Sequence, residues 1–423
     1  MLQSKIRPKV SLPLIRTLFS GLLIVLAAFT FGYGLGIKGF YASFAGFPKV
    51  VLNQETPPER NVDFSSFWQI WNTLDASYYD KTKLVPSEMV QGAIKGLVAA
   101  VGDPYTVFLS PDENKVAEED LQGNFEGVGI QIGYIGTQLA VMSPLPGTPA
   151  FEAGIQAGDF IIGIKDEQKQ IERVTNGMTL PEAVQIIRGP AGSKITLSLL
   201  REGSDEPMLV DVVRRAIDVP SVLLAYVGDD ESVAHLSVLR FGGETKVEWD
   251  KKVSEILVKP DLSGVIIDLR NNPGGYLQGA IDLGTDFLEK NDVVVIEQAG
   301  DGRQQEYRTQ NIGRLKSMKI AVLVNKGSAS ASEILAGALR DNKNITIIGT
   351  NSFGKGTIQE PLQLEKGAGL HITIAKWLTP NGTWVNGEGI APDIDVKDDP
   401  ETEADEQLVA AIDFIAKNKL TSK

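Results

Sequence analysis

The sequence predicts a multidomain α/β chain: an N-terminal transmembrane helix, a small helical domain, a β-rich domain and a larger α/β domain. Three observations predict it. The length, 423 residues, is enough for about two to four domains. The hydrophobic pattern changes from helical spacing to short β-rich runs with Gly/Pro turns near residue 123, then to alternating helices and strands beyond about residue 216. One uncharged apolar stretch precedes all of these.

That stretch is "TLFSGLLIVLAAFTFGYGLGI". It follows Lys5, Arg7, Lys9 and Arg16, ends before Lys38, and its 21 residues can span a bilayer as a helix. Residues 1–40 are therefore read as a cytoplasmic tail and membrane anchor, with the flanking positive charge holding the terminus inside and the remainder outside the cytoplasm. A cleaved signal ending near Ser43–Ala45 is the alternative. Residues 41–62 read as a linker, because Pro57-Pro58 blocks regular structure.

Residues 63–114 read as a helical region. Phe64, Phe67, Trp68, Trp71 and Leu74 share one helical face, expected to be core, and Ser87 is the expected cap of a second helix. Residues 115–215 form the β-rich domain. It holds one short helix in "TLPEAVQIIRG" and a closing hairpin from "KITLSLLREG" and "MLVDVVRRAI". Residues 216–395 form the α/β domain, with strands near 233–240, 264–269 and 320–324. Residues 396–423 carry a final helix whose acids lie at its N-terminal end and whose lysines lie at the other, as the helix dipole prefers.

Composition removes several function classes. A net charge of −13 and a pI near 4.9 argue against nucleic acid as a partner. There is no cysteine, so disulfides, thiol catalysis and Cys-ligated metals are excluded. Only His235 and His371 exist, so a His-rich metal site is not expected, and a Ser-His-Asp triad would have to use one of them.

"GTNSFGKGTIQ" imitates a phosphate-binding loop from Gly349 to Lys355. The place of the Mg²⁺-binding hydroxyl is Gly356, and strand-like residues follow where a helix should. Lys355 therefore needs another task. Upstream, "IAVLVNKGSASASEILAGALRDN" reads as a buried strand, a small-residue turn and a helix. A serine at such a junction is exposed beside free helix N–H groups that suit a developing oxyanion. With histidine scarce, the base would be a lysine neutralised by burial, and Lys355 sits among Phe353, Gly354 and Gly356. Gln359 can orient its amine. Spacing does not choose among Ser328, Ser330 and Ser332.

"GDPYTVFLSP", "FEGVGIQI", "IRGPAGSKITL", "DLRNNPGG", "VNKGSASASEILAGAL", "SFGKGTIQ" and "ITIAKWLTPNG" occur in the order seen in the carboxyl-terminal processing proteases. The chain after residue 60 resembles that family of PDZ-containing serine peptidases with a Ser-Lys dyad. The resemblance implies Ser330 as nucleophile, Lys355 as general base and Gln359 as its orienting partner. It implies oxyanion donors at Ala331 and at Gly274 or Gly275. Asp341 matches a further acidic position and is read as a structural helix-end residue. The β-rich domain becomes a PDZ domain whose carboxylate loop is Gly127, Val128, Gly129 and Ile130. The expected partners are proteins or peptides with free apolar C-termini, and no metal or organic cofactor is expected. Arg188 ends the PDZ helix. Its expected roles are either a contact with that helix end or coupling between the domains. The rival readings are a non-catalytic PDZ adaptor and a nucleotide-binding protein.

Overall fold

The computed structural model describes residues 12–37, 40–43, 49–52 and, from 62 to 417, all but 202, 205, 399–401 and 403. Contacts divide the chain into residues 1–86 and 87–423.

In the first unit a helix runs Leu12–Ile37, where Leu, Ile, Ala and Phe dominate. Its side chains are described continuously from Phe19 to Tyr33 and are exposed. Among the described residues no helix is long and apolar enough to cross a membrane. The cytoplasmic tail and most of the linker lie outside the described residues. The linker is not wholly irregular. Strands Phe40–Ser43 and Lys49–Leu52 pair antiparallel, so β-prone "KVVL" finds a partner before Pro57-Pro58 can interrupt it. Helix Ser65–Ser77 carries the predicted aromatic stripe, yet it buries no residue, and Phe64 and Trp68 are exposed. Among the described residues the expected core is not formed on this stripe. Ser87 is not a cap: Pro86 opens the helix Pro86–Ala99, at a position where its missing N–H costs nothing.

In the second unit, helix Pro111–Gln122 follows a Ser110–Glu113 capping box and stops at Gly123, whose φ of 85° is left-handed. The β-rich domain is a six-stranded sheet in the order Met208–Val213, Lys194–Leu200, Phe160–Asp166, Gln138–Pro144, Ile130–Ile135, with Ile171–Val174 beside Phe160–Asp166. Ile130–Ile135 is therefore an edge. Helix Leu180–Ile187 packs on the sheet through Ala183, Ile186 and Ile187. Beneath it Arg214 and Asp166, both fully buried, pair at 2.6 Å.

The larger domain has two sheets. The first runs Val222–Val227, Val233–Val238, Gly264–Asp268, Ile320–Val324, Thr346–Gly349, Ile394–Asp395. It is parallel after its first pair, and its central strands are buried throughout. Fully buried strands are what unbroken runs such as "IAVLV" require. The second sheet runs Gln304–Arg308, Val293–Ala299, Gly369–Leu378, Thr357–Gln363. Val107–Leu109, from the region expected to be helical, adds to Gly369–Leu378. The final helix, Glu406–Lys417, is held by Arg270, which pairs with Asp405 at 2.7 Å.

Candidate active site

Parallel strands Gly264–Asp268 and Ile320–Val324 are neighbours, and their carboxyl ends carry "NNPGG" and the serine turn. Ligand sites in such sheets form beyond those ends. The turn leads into helix Ala331–Lys343.

The structure separates the three serines. Ser328 is buried, and its hydroxyl donates to Leu269 O (2.8 Å) and accepts from Asn325 N–H (2.9 Å). Ser332 is buried, with its hydroxyl on Asn272 O at 2.9 Å. Both are fasteners of the turn. The Ser330 hydroxyl has only the loose capping-box contact with the Glu333 N–H, is spent on no distant carbonyl, and faces a cleft of about 420 Å³. Its backbone has φ 55° and ψ −114°, strained for a residue with a side chain.

Ala331 opens the helix, so its N–H has no intrahelical acceptor. Gly274 and Gly275 lie opposite. A Cβ on Gly274 would stand 2.8 Å from Ala329 O, and one on Gly275 would stand 2.1 Å from Phe241 O. The turn therefore admits only glycine at either place. The Gly274 N–H is consumed by Asn272 Oδ1 at 2.9 Å. The Gly275 N–H makes no hydrogen bond among the described residues, and Gly275 lines the cleft.

Lys355 and Gln359 line the same cleft. Burial pushes the Lys355 amine below its usual value, against the opposing charges of Asp103 and Glu333. Gln359 does not bond to it here. Its Nε2 donates to Thr357 Oγ1 (2.8 Å) and Thr373 Oγ1 (3.2 Å), which leaves Oε1 as the acceptor.

Sequence reasoning missed Glu333. It is fully buried and accepts from Ser330 N–H (2.8 Å), Ser352 Oγ (2.6 Å), Gly354 N–H (2.6 Å) and Lys355 N–H (2.9 Å). One carboxylate thus joins the serine turn to the lysine loop. Its signal was an acid three residues after Ser330, the spacing of a capping box. It also explains the false phosphate-binding motif. The N–H groups that would cradle a phosphate are spent within the protein: Thr350 on Val324 O, Ser352 on Ile390 O, Phe353 on Ser328 O, Gly354 and Lys355 on Glu333, and Gly356 on Asn386 Oδ1. A strand, Thr357–Gln363, follows.

Neither histidine completes a triad. Ser237 Oγ (3.3 Å) and Asp268 Oδ2 (3.0 Å) both approach the same His235 nitrogen, so no proton relay through the ring exists. His371 lines the cleft. Burial, with Lys355 nearby, pushes its ring below the usual value. Asp341 accepts from Asn381 N–H at 3.0 Å near the end of its helix, the structural position expected.

Gly127, Val128, Gly129 and Ile130 come together in a groove of about 120 Å³ between edge strand Ile130–Ile135 and helix Leu180–Ile187. A Cβ on Gly129, whose φ is 79°, would stand 2.3 Å from Thr148 Cβ. Arg188 lines the same groove and caps the helix through its backbone N–H on Val184 O (2.9 Å), but its side chain does not hold the helix-end carbonyls, as one expectation had it. Those carbonyls are taken by Lys169 and Arg214. Arg188 turns instead to Asp120 and, at 3.6 Å, Glu119, both on helix Pro111–Gln122, with its guanidinium 4.6 Å from the Phe125 ring centre.

Residues 232–396 match Peptidase family S41, and residues 141–201 match the PDZ domain. The carboxy-terminal-processing protease of Bartonella bacilliformis is 39% identical over 73% of this chain and 70% of its own. The chain belongs to the carboxy-terminal processing proteases. CtpB of Bacillus subtilis, another member, is 32% identical over 82% of this chain and 71% of its own. A solved structure of the photosystem II D1 C-terminal processing protease superposes with a TM-score of 0.51 at 26% identity, covering 82% of this chain and 95% of that one. This member of the family is thus a serine-type peptidase carrying a PDZ domain.

Proposed function

We propose that the chain is a membrane-tethered endopeptidase that captures apolar protein C-termini in its PDZ groove and cleaves by acyl transfer from Ser330. Neutral Lys355 removes the Ser330 proton. The oxygen attacks the scissile carbonyl, and the N–H groups of Ala331 and Gly275 receive the oxyanion. Collapse breaks the C–N bond, and the Lys355 ammonium returns its proton to the departing amine. Water then attacks the ester, Lys355 takes its proton, and Ser330 regains a hydrogen as the acid leaves. Gln359 Oε1 orients the amine. The sequence of steps needs neither metal nor cofactor.

The observation that carries this reading is the strained Ser330, whose hydroxyl is spent on no distant carbonyl, sharing a cleft with a lysine depressed by burial. A non-catalytic adaptor would need neither feature. The test is hydrolysis of a fluorogenic peptide with a free apolar C-terminus. Ser330→Ala should abolish it while tail binding persists. Cleavage by that variant would leave the nucleophile unassigned.

The groove supports tail capture, since glycines bring N–H groups close and the edge strand can pair with a peptide. Amidating the peptide's C-terminus should sharply weaken binding. Arg188 supports coupling, because helix Pro111–Gln122, which it grips, also sends Leu121 into the catalytic cleft. Its buried Nη1 lacks a hydrogen bond among the described residues, so this seating is not saturated. The tether rests on the uncharged run at 17–37 and the basic residues before it. It would place the catalytic portion outside the cytoplasm. Carbonate extraction of membranes would test it: release of the full chain would count against an anchor.

A further inference from the structure

Between the helix Pro86–Ala99 and strand Val107–Leu109 lies a tight turn, "GDPYT", that no step above employs. The Asp103 carboxylate accepts from Tyr105 N–H (3.0 Å) and Thr106 Oγ1 (2.6 Å). Thr106 Oγ1 accepts in turn from Thr373 N–H (3.1 Å). The strand after the turn pairs with the strand carrying Thr373 and His371, with Val107 opposite His371. The turn is therefore pinned to the second sheet of the peptidase domain, and Pro104, Tyr105 and Val107 line the catalytic cleft. The Lys355 Nζ stands 4.9 Å from the centre of the Tyr105 ring. It donates no hydrogen bond among the described residues.

We propose that Tyr105 is a positioning residue of the general base: its ring face seats the Lys355 amine in the cleft, and Asp103 holds that ring in place. The proposal rests on Lys355 being the base. An aromatic face within about 6 Å attracts an ammonium and has little to offer a neutral amine. The seat thus favours the protonated lysine and sets the pH at which the base becomes available. The groups acting on Lys355 are Asp103 and Tyr105 from the turn, Glu333 from helix Ala331–Lys343, and His371 from Gly369–Leu378. Burial opposes the two carboxylates and lowers the amine's proton affinity.

The experiment is the pH dependence of kcat/KM for the purified chain on the fluorogenic peptide, with Tm measured alongside. Tyr105→Leu should move the alkaline-rising limb to lower pH by about 0.4 to 1.5 units, the span from an exposed to a desolvated cation–π contact. Tyr105→Phe keeps the ring face and should keep the midpoint. Asp103→Asn removes an anion, so it should shift the limb the same way as Tyr105→Leu. A merely structural turn would lower kcat/KM at every pH and leave the midpoint unmoved. That result in Tyr105→Leu, or in Asp103→Asn if Tyr105→Leu is too weak to assay, overturns the proposal. Failure of the base reading is separate: it would appear as a wild type with no alkaline rise, or as an active Lys355→Arg.

Discussion

Ser330 holds a positive φ that a side chain adopts only under constraint, and the constraint is visible. Glu333 grips its N–H while Ser328 and Ser332 tie both flanks of the turn to residues 269–272. Ser330→Ala should therefore lose at least about 10³-fold in activity with Tm unchanged. Ser328→Ala should behave inversely. It removes one buried and one half-buried hydrogen bond, so stability should fall by roughly 1–3 kcal/mol in denaturant titration while residual folded enzyme still cleaves. Lys355→Arg should be inactive because a guanidinium cannot give up its proton. The lysine also opposes stability. Its folded proton affinity is below the ordinary 10.5, so folding is disfavoured at neutral pH and gains as pH climbs through the folded value toward 10.5. Lys355→Met should be dead yet melt higher near neutral pH, and a lower Tm would contradict the buried-ammonium argument. At this scale the sequence named Ser330 only through its relatives. Which hydroxyl is spent on a distant carbonyl cannot be read along the chain, and neither can the four donors that meet at Glu333.

Elements with strong periodicity were legible: the buried strand Ile320–Val324, the helix Leu180–Ile187 and the hairpin Lys194–Leu200 with Met208–Val213 all lie where pattern put them. Elements decided by remote partners were not. Val107–Leu109 is too short to announce itself and exists because Gly369–Leu378 offers an edge. The aromatic stripe of Ser65–Ser77 looked like core because periodicity reports a face, not what covers it. In the PDZ sheet, Arg214 fastens the end of helix Leu180–Ile187 to Asp166. Burial alone would raise the Asp166 carboxyl; the Lys169 N–H and Arg214 hold it below its usual 3.8. Its contribution to stability is thus complete above about pH 4 and is lost as pH falls through the lower folded value. Arg214→Met leaves that carboxylate buried and unpaired and should cost about 3–5 kcal/mol. Loss of tail binding at temperatures where Ser330→Ala still binds would show it. A cost under about 1 kcal/mol would mean that water reaches the pair.

At the scale of the molecule, the order of the PDZ and peptidase domains was legible from texture and motif order, whereas the seating of one against another was not. Arg188 illustrates this. Sequence placed it at a helix end, and the structure turns it onto helix Pro111–Gln122. Arg188→Ala should lower peptidase activity by about tenfold or more while tail affinity and Tm change little, since a coupling energy of 1–3 kcal/mol is what such switches employ. Unchanged activity would leave the arginine a local contact. ATP should neither bind nor alter the rate, because the loop that resembles its site is closed around Glu333.

The pairing of Val107–Leu109 with Gly369–Leu378 means that the peptidase is threaded, not strung. One sheet takes a strand from before the PDZ domain and its remaining strands from after it, so the PDZ domain is an insertion within its own protease. Such a module has two attachments to the machine it serves. On the proposed coupling, a tail that shifted it would pull on both at once: on the side leading to Tyr105 and on the side leading to Ser330. Excising residues 232–396 would keep Ser330 and Lys355 but leave a bare sheet edge where Val107–Leu109 pairs, and, on the proposal above, an amine without its aromatic seat. The folded peptidase sheet of this chain is therefore longer than the matched residues 232–396, and its first strand is read by the ribosome before the PDZ domain.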